Sequence, residues 1–340
     1  MAEEKKKRHN LYDFVTGGKN NRADVDLRSQ IKGFSTKNMF RLYFRRFRQI
    51  TILNIMIIMS NFPLIFLVLA ISGLVSHQTV APVNPIYSVV YGITTISGPT
   101  PATAALNGLF MENSIMYYPS IWTYICYGLS FLEVITIGLG NVGIMYVMRN
   151  LVRGEPLFLP SDFFDSIKTN FKLGLITGVI DSVLLFLCGF SIYSYWVNYG
   201  NYYILFFASV LMLILYLILR NLLYLMIVTF DQKYRYLVKN SLIFTILGFG
   251  KNFLALLGGA LICAVFYSLS VTVFIPIGVI AFVLFIPATI MYFMTYVAYW
   301  KINDIMIEPY YQKHPNERPK VEPVDDYVGE TDDPGEEPLE

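Results

Sequence analysis

Apolar residues fill this chain in long blocks divided by short charged stretches. Six blocks can each cross a hydrocarbon core about 30 Å thick, which needs about 20 residues. They are 49–76, 120–149, 173–197, 202–230, 252–271 and 273–300. None alternates with period two, and backbone groups in lipid must be satisfied within their own segment, so the pattern predicts helices and excludes a β-barrel. The first block follows a 48-residue polar stretch and is too long for a signal-peptide core, so no cleaved leader is expected.

The cations orient the blocks. Arg45, Arg46 and Arg48 abut the first, and no Lys or Arg then occurs before Arg149. The next clusters are Arg149, Arg153, Lys168 and Lys172, then Lys233, Arg235, Lys239 and Lys251, then Lys301. Each falls where six spans with an inside N-terminus put a cytoplasmic segment. Trp122 and Trp196 fall at outer boundaries and Trp300 at an inner one, as an aromatic belt requires. Residues 86–111 carry no charge and read as a possible seventh span, but a full crossing would send Arg149 and Arg153 outside. Gly98, Pro99 and Pro101 also interrupt any helix there. A re-entrant or interfacial outer hairpin fits better, with a packed extracytoplasmic loop as the alternative. The expected fold is therefore all-α: a polytopic membrane helix bundle of about six transmembrane helices with both termini inside.

Composition sharpens this picture. The chain is 55% hydrophobic and 15% charged with a mean hydropathy of +0.51, which argues against an ordinary cytosolic enzyme. The net charge of +2 hides an asymmetry. Residues 1–48 hold 13 Lys/Arg and 5 Asp/Glu, a basic cytoplasmic arm suited to an anionic inner leaflet. Residues 308–340 hold 3 and 11, an acidic, Pro-rich tail of disordered composition. The membrane domain is 49–307. Cys126, Cys188 and Cys263 lie inside spans without metal-ligand spacing, and the three histidines are scattered, so no metal site or cofactor is expected.

Two segments resemble cytoplasmic elbows, 154–172 and 231–251. In the first, Ser161 precedes Asp162 and Asp165, and Lys168 and Lys172 follow at helical spacing, while Phe163, Phe164, Ile167 and Phe171 lie largely on the other side. Such a helix lies on the membrane surface or offers a partner-docking face, with Asp162, Phe163, Phe164, Lys168 and Lys172 as its candidate residues. Charges within spans cost at least about 2.5–3.5 kcal/mol on insertion scales. Glu133, Asp181 and Arg220 are the candidates. Asp181 and Arg220 sit at equal depth on helices joined by a short loop, so they are expected to pair, either to fix helix register or as a relay. Glu133 has no evident cation and is expected to hydrogen-bond to Asn141, Thr136 or the 92–99 segment. Gly138, Gly140 and Gly143 would admit a close helix neighbour. No P-loop, dinucleotide fingerprint or catalytic triad pattern occurs, so no catalytic residue is assigned and nucleic acid is not an expected partner.

The stretch Gly143–Asp181 resembles the YesL-like family of bacterial integral membrane proteins. The matching positions are Arg149, Arg153, Gly154 and Glu155, then Asp162, Phe163 and Phe164, then Lys168, Asn170, Phe171 and Lys172. Gly98–Leu106 is similar to a second element, although here 43 residues separate Leu106 from Arg149. The resemblance implies an accessory or regulatory partner of an ABC-type carbohydrate uptake system in the cytoplasmic membrane. It assigns no chemistry to any residue. The alternative is a stand-alone transporter or channel that uses Glu133, Asp181 and Arg220. A third reading gives the 86–111 hairpin lipid or wall polymer to bind.

Overall fold

The computed structural model describes residues 33–155, 157–272 and 275–317, without the side chains of 266 and 269–284. The basic arm up to residue 32 and the tail from 318 lie outside the described residues. The chain divides into two compact units between Lys301 and Ile302.

The first unit is predominantly helical. Helices α1 (Thr36–Arg45), α2 (Phe47–Ser60) and α3 (Leu64–Ile71) lead to strand β1 (His77–Pro82). Two short helices, α4 (Tyr87–Ser97) and α5 (Pro101–Phe110), precede strand β2 (Asn113–Tyr118). Then follow α6 (Ile121–Ser130), α7 (Glu133–Arg153), α8 (Leu159–Thr169), α9 (Phe171–Val197), α10 (Tyr199–Thr229), α11 (Tyr234–Leu247), α12 (Phe249–Thr272) and α13 (Ile275–Ile302). Among the described residues, Ile121–Arg153, Phe171–Val197 and Tyr199–Thr229 are each long and apolar enough to cross a membrane. Two bent helix pairs also qualify if each is one span, which makes three to five candidates.

The expected first span, 49–76, is not one straight helix. It bends by 62° between α2 and α3. Pro63 explains the break: it brings no N–H to the helix ladder and disfavours helical backbone at the residue before it.

The fold also departs from all-α. β1 and β2 pair antiparallel from His77 with Tyr118 to Pro82 with Asn113. This ribbon returns the chain to its starting point, and α4 and α5 hang from it as a helical hairpin. At 11 and 10 residues they span about 16 Å and 15 Å, too short to cross. Gly98 ends α4 at φ +68°, a conformation only glycine adopts freely. Thr100 caps α5 with Thr103, and Pro101 fills the first helical position, where a missing N–H costs nothing. The Gly98, Pro99 and Pro101 signal is thus a helix stop and start. The ribbon's base is tied to α6: the Ser120 hydroxyl donates to the Val75 carbonyl, and Thr123 donates to the same oxygen at 3.1 Å.

Helix α7 is the hub, buried along most of its length. Its three glycines each admit a different neighbour. A Cβ on Gly138 would lie 2.1 Å from the Gly174 carbonyl oxygen of α9, one on Gly140 would meet Ser60 of α2, and one on Gly143 would meet the Phe163 ring of α8. Small residues let helices approach this closely where lipid offers no hydrophobic drive between them.

Three helix pairs repeat one design. α1 turns into α2 at Arg46, α8 into α9 at Asn170 and α11 into α12 at Gly248. The joints have φ/ψ of −104°/18°, −107°/20° and −100°/5°, the sparsely populated bridge region. Short helices stand at both expected elbow positions, α8 and α11, and α1 makes the same turn.

The second unit holds a π-helical turn (Asn303–Ile307), a short helix α14 (Glu308–Lys313) and a 3₁₀ turn at Pro315–Glu317. Within it, Tyr310 donates to Glu317 at 2.5 Å and stacks on His314.

Candidate functional site

The site is a charge cluster between α9 and α10. Asp181 lies ten residues into α9 and is 1% exposed. Arg220 lies nine residues before the end of α10, so both sit about 15 Å from the same end of the bundle. The two are joined as expected: Arg220 Nε donates to Asp181 Oδ1 at 2.8 Å and to Oδ2 at 2.7 Å. Tyr216 donates to Oδ1 at 2.5 Å and Tyr224 to Oδ2 at 3.0 Å. Tyr216, Arg220 and Tyr224 are four residues apart and share one helix face. The carboxylate therefore accepts from three side chains, and its charge is closed on itself. The two tyrosines escaped the sequence reading because tyrosine is common in these spans; their spacing about Arg220 was the available signal.

Arg220 has a second face. It lines a cavity of about 300 Å³ together with Asn61, Asn141, Asn221 and Tyr224. Helix α13 completes the wall through Pro287 and Met291. Pro287 breaks the ladder there, and Asn54 repairs it by accepting the Ala288 N–H at 2.6 Å.

Glu133 is buried but does not join the hydrogen bonds of the pair. Thr136 donates to its Oε2 at 3.3 Å, while Oε1 has no partner among the described residues. Of its expected partners, Thr136 is therefore the one that bonds, while the Asn141 amide donates to the Ile137 carbonyl one turn back.

The elbow residues separate into two groups. Phe163 is buried against Gly143, so it is a packing residue and not part of a docking face. Asp162 accepts the Phe158 N–H at 2.9 Å and holds the start of α8. Burial pushes its carboxyl above the ordinary range, and neighbouring Asp165 and Glu155 add to that against the Phe158 bond. Ser161 falls inside the first turn and does not cap it; it donates to Asp165 at 3.2 Å. Phe164, Lys168 and Lys172 are exposed. The Lys168–Asp165 contact of 3.4 Å is solvated on both sides and contributes little.

The basic turn that carries the family resemblance closes helix ends. Gly154, at φ +73°, donates to the Leu151 carbonyl, and the Glu155 N–H donates to that of Asn150, a Schellman ending. Arg46 donates to the Gly154 and Glu155 carbonyls at 3.1 and 2.7 Å. Arg149 does the same for Val228 at the end of α10, and Arg153 pairs with Glu155 at 2.7 Å. These cations sit on helix C-termini, where the macrodipole favours them. Among the described residues, no group of three or more His, Cys, Asp or Glu could hold a metal ion.

No curated protein and no solved structure matches the chain. Residues 103–195 match a family described as "Protein of unknown function, DUF624". That stretch runs from α5 into α9 and holds Glu133, the basic turn, the α8 elbow and Asp181, while Arg220 lies beyond it. Across that stretch the chain is similar to a family whose activity its description leaves open.

Proposed function

We propose that this chain is a non-enzymatic, six-span protein of the cytoplasmic membrane with both termini inside. It acts there as an accessory or regulatory partner of an ABC-type carbohydrate uptake system. One observation carries the reading. Asp181 and Arg220 are spent on each other and Arg46 and Arg149 on helix ends, whereas the elbow of α8 and the start of α9 leaves Phe164, Lys168 and Lys172 exposed at the basic end of the bundle. The exposed aromatic suits a protein partner, and the two lysines beside it suit the anionic membrane surface on which that partner would sit. The resemblance of the 143–181 stretch to the YesL-like family supports the same role.

The test is capture of the full chain from native membranes after cross-linking. Wild type is expected to bring down sugar-permease subunits or their ATPase, and Phe164→Ala with Lys168→Glu and Lys172→Glu to lose them with unfolding temperature unchanged. Capture that ignores these substitutions contradicts the proposal. A second reading, a stand-alone transporter, draws on the Arg220 cavity. It requires solute flux in liposomes that hold only this protein, lost on neutralising Asp181.

A further inference from the structure

The cavity at Arg220 has a donor and acceptor pattern that the ion pair does not use. Nε alone binds Asp181. The two terminal nitrogens, with four N–H donors, have no partner among the described residues, and Arg220 forms part of the cavity wall. Asn221 adds a free amide NH₂, since its oxygen accepts from Thr295 at 3.2 Å. Two acceptors share the same wall. Asn61 and Asn141 commit their NH₂ groups to the Ile57 and Ile137 carbonyls, at 2.7 and 2.6 Å, which leaves both amide oxygens unpaired among the described residues.

A guanidinium edge with both terminal nitrogens free matches a planar pair of oxygens in two parallel bonds. The amide oxygens call for N–H or O–H donors on the same ligand. Charge narrows the choice further. Arg220 and Asp181 already sum to zero, and an unbalanced charge added to a low-dielectric interior is costly. The ligand must therefore be neutral overall while carrying a carboxylate at one end and donors at the other. A volume of about 300 Å³ lies at the low end of small-molecule sites.

We propose that this cavity binds a zwitterionic α-amino acid, with its carboxylate on the outer edge of Arg220 and its ammonium between Asn61 and Asn141. The proposal stands apart from the accessory role and survives its failure.

The experiment is calorimetric titration of the purified full chain with L-leucine, L-leucinamide, N-acetyl-L-leucine and sorbitol. Binding of L-leucine is expected, with affinity lower on the order of tenfold for both the amide and the N-acetyl derivative, each lacking one charged end. Asn61→Ala is expected to weaken L-leucine by a similar factor, and Arg220→Lys, which keeps the charge but not the two-nitrogen edge, to weaken it at least as much. No heat with L-leucine overturns the proposal. So does equal response to sorbitol, or L-leucine binding that neither Asn61→Ala nor Arg220→Lys alters.

Discussion

Replacing Asp181 with Asn removes the counter-charge of Arg220 while keeping the side chain's shape. The expected loss follows from the geometry. Asp181 is 1% exposed and takes four hydrogen bonds of 2.5–3.0 Å, so its environment is built around a carboxylate. Leaving one partner of such a pair uncompensated costs about 3–5 kcal/mol. Arg220→Gln leaves the carboxylate with two tyrosine donors and should cost a similar amount. The double variant carries no charge, and an Asn still offers Tyr216 or Tyr224 an acceptor. Its cost reduces to one or two weakened hydrogen bonds, about 0.5–1.5 kcal/mol each. The double variant should therefore be more stable than either single one. Equilibrium unfolding of all four proteins in bicelles measures this directly. Single losses that add to within about 0.5 kcal/mol in the double variant would show that the two residues do not act as a pair.

Four further outcomes follow from the packing and from Asp162. Gly138→Ala must push α7 off α9, because the new Cβ falls 2.5 Å from the Gly178 Cα; a loss of about 1–3 kcal/mol is expected in the same unfolding assay. Gly128→Ala, with nothing within 4 Å, should instead stabilise slightly. Asn54→Leu strands the buried Ala288 N–H, at about 1–3 kcal/mol, and adding Pro287→Ala should recover part of that by letting α13 close its own ladder. Asp162 titrates above its ordinary value of 3.8 in the folded chain, so the folded state holds that proton more tightly. Its contribution to stability is full below 3.8 and is lost as pH rises through the folded value, a slope that Asp162→Asn should remove in thermal unfolding across that window.

Part of the architecture was legible because lipid leaves the chain few options. The long apolar helices and the matched depth of Asp181 and Arg220 follow from one solvent requirement, although three to five candidate spans stand where six were expected. The elbow helices were legible from charge spacing, but Phe163 was placed with the docking candidates although it is buried. Its burial depends on Gly143, twenty residues earlier, which no local pattern reports. The β-ribbon escaped because its strands are six residues each and pair across the whole 83–112 excursion, so the contact is non-local. The cavity escaped for the same reason: its walls come from α2, α7, α10, α12 and α13, and only the packed bundle brings Asn61, Asn141 and Asn221 to one guanidinium. Tyr216 and Tyr224 were present at telling positions, yet tyrosine is common in this chain, so spacing alone did not single them out.

The central claim is that the chain works through its exposed basic-end face. A photo-activated cross-linking residue placed at position 164, with position 163 as the buried control, tests it most directly in native membranes. Position 164 is predicted to trap a subunit of a sugar importer and position 163 only the chain itself. Trapping of lipid alone at position 164, with full expression and unaltered stability, would contradict the account.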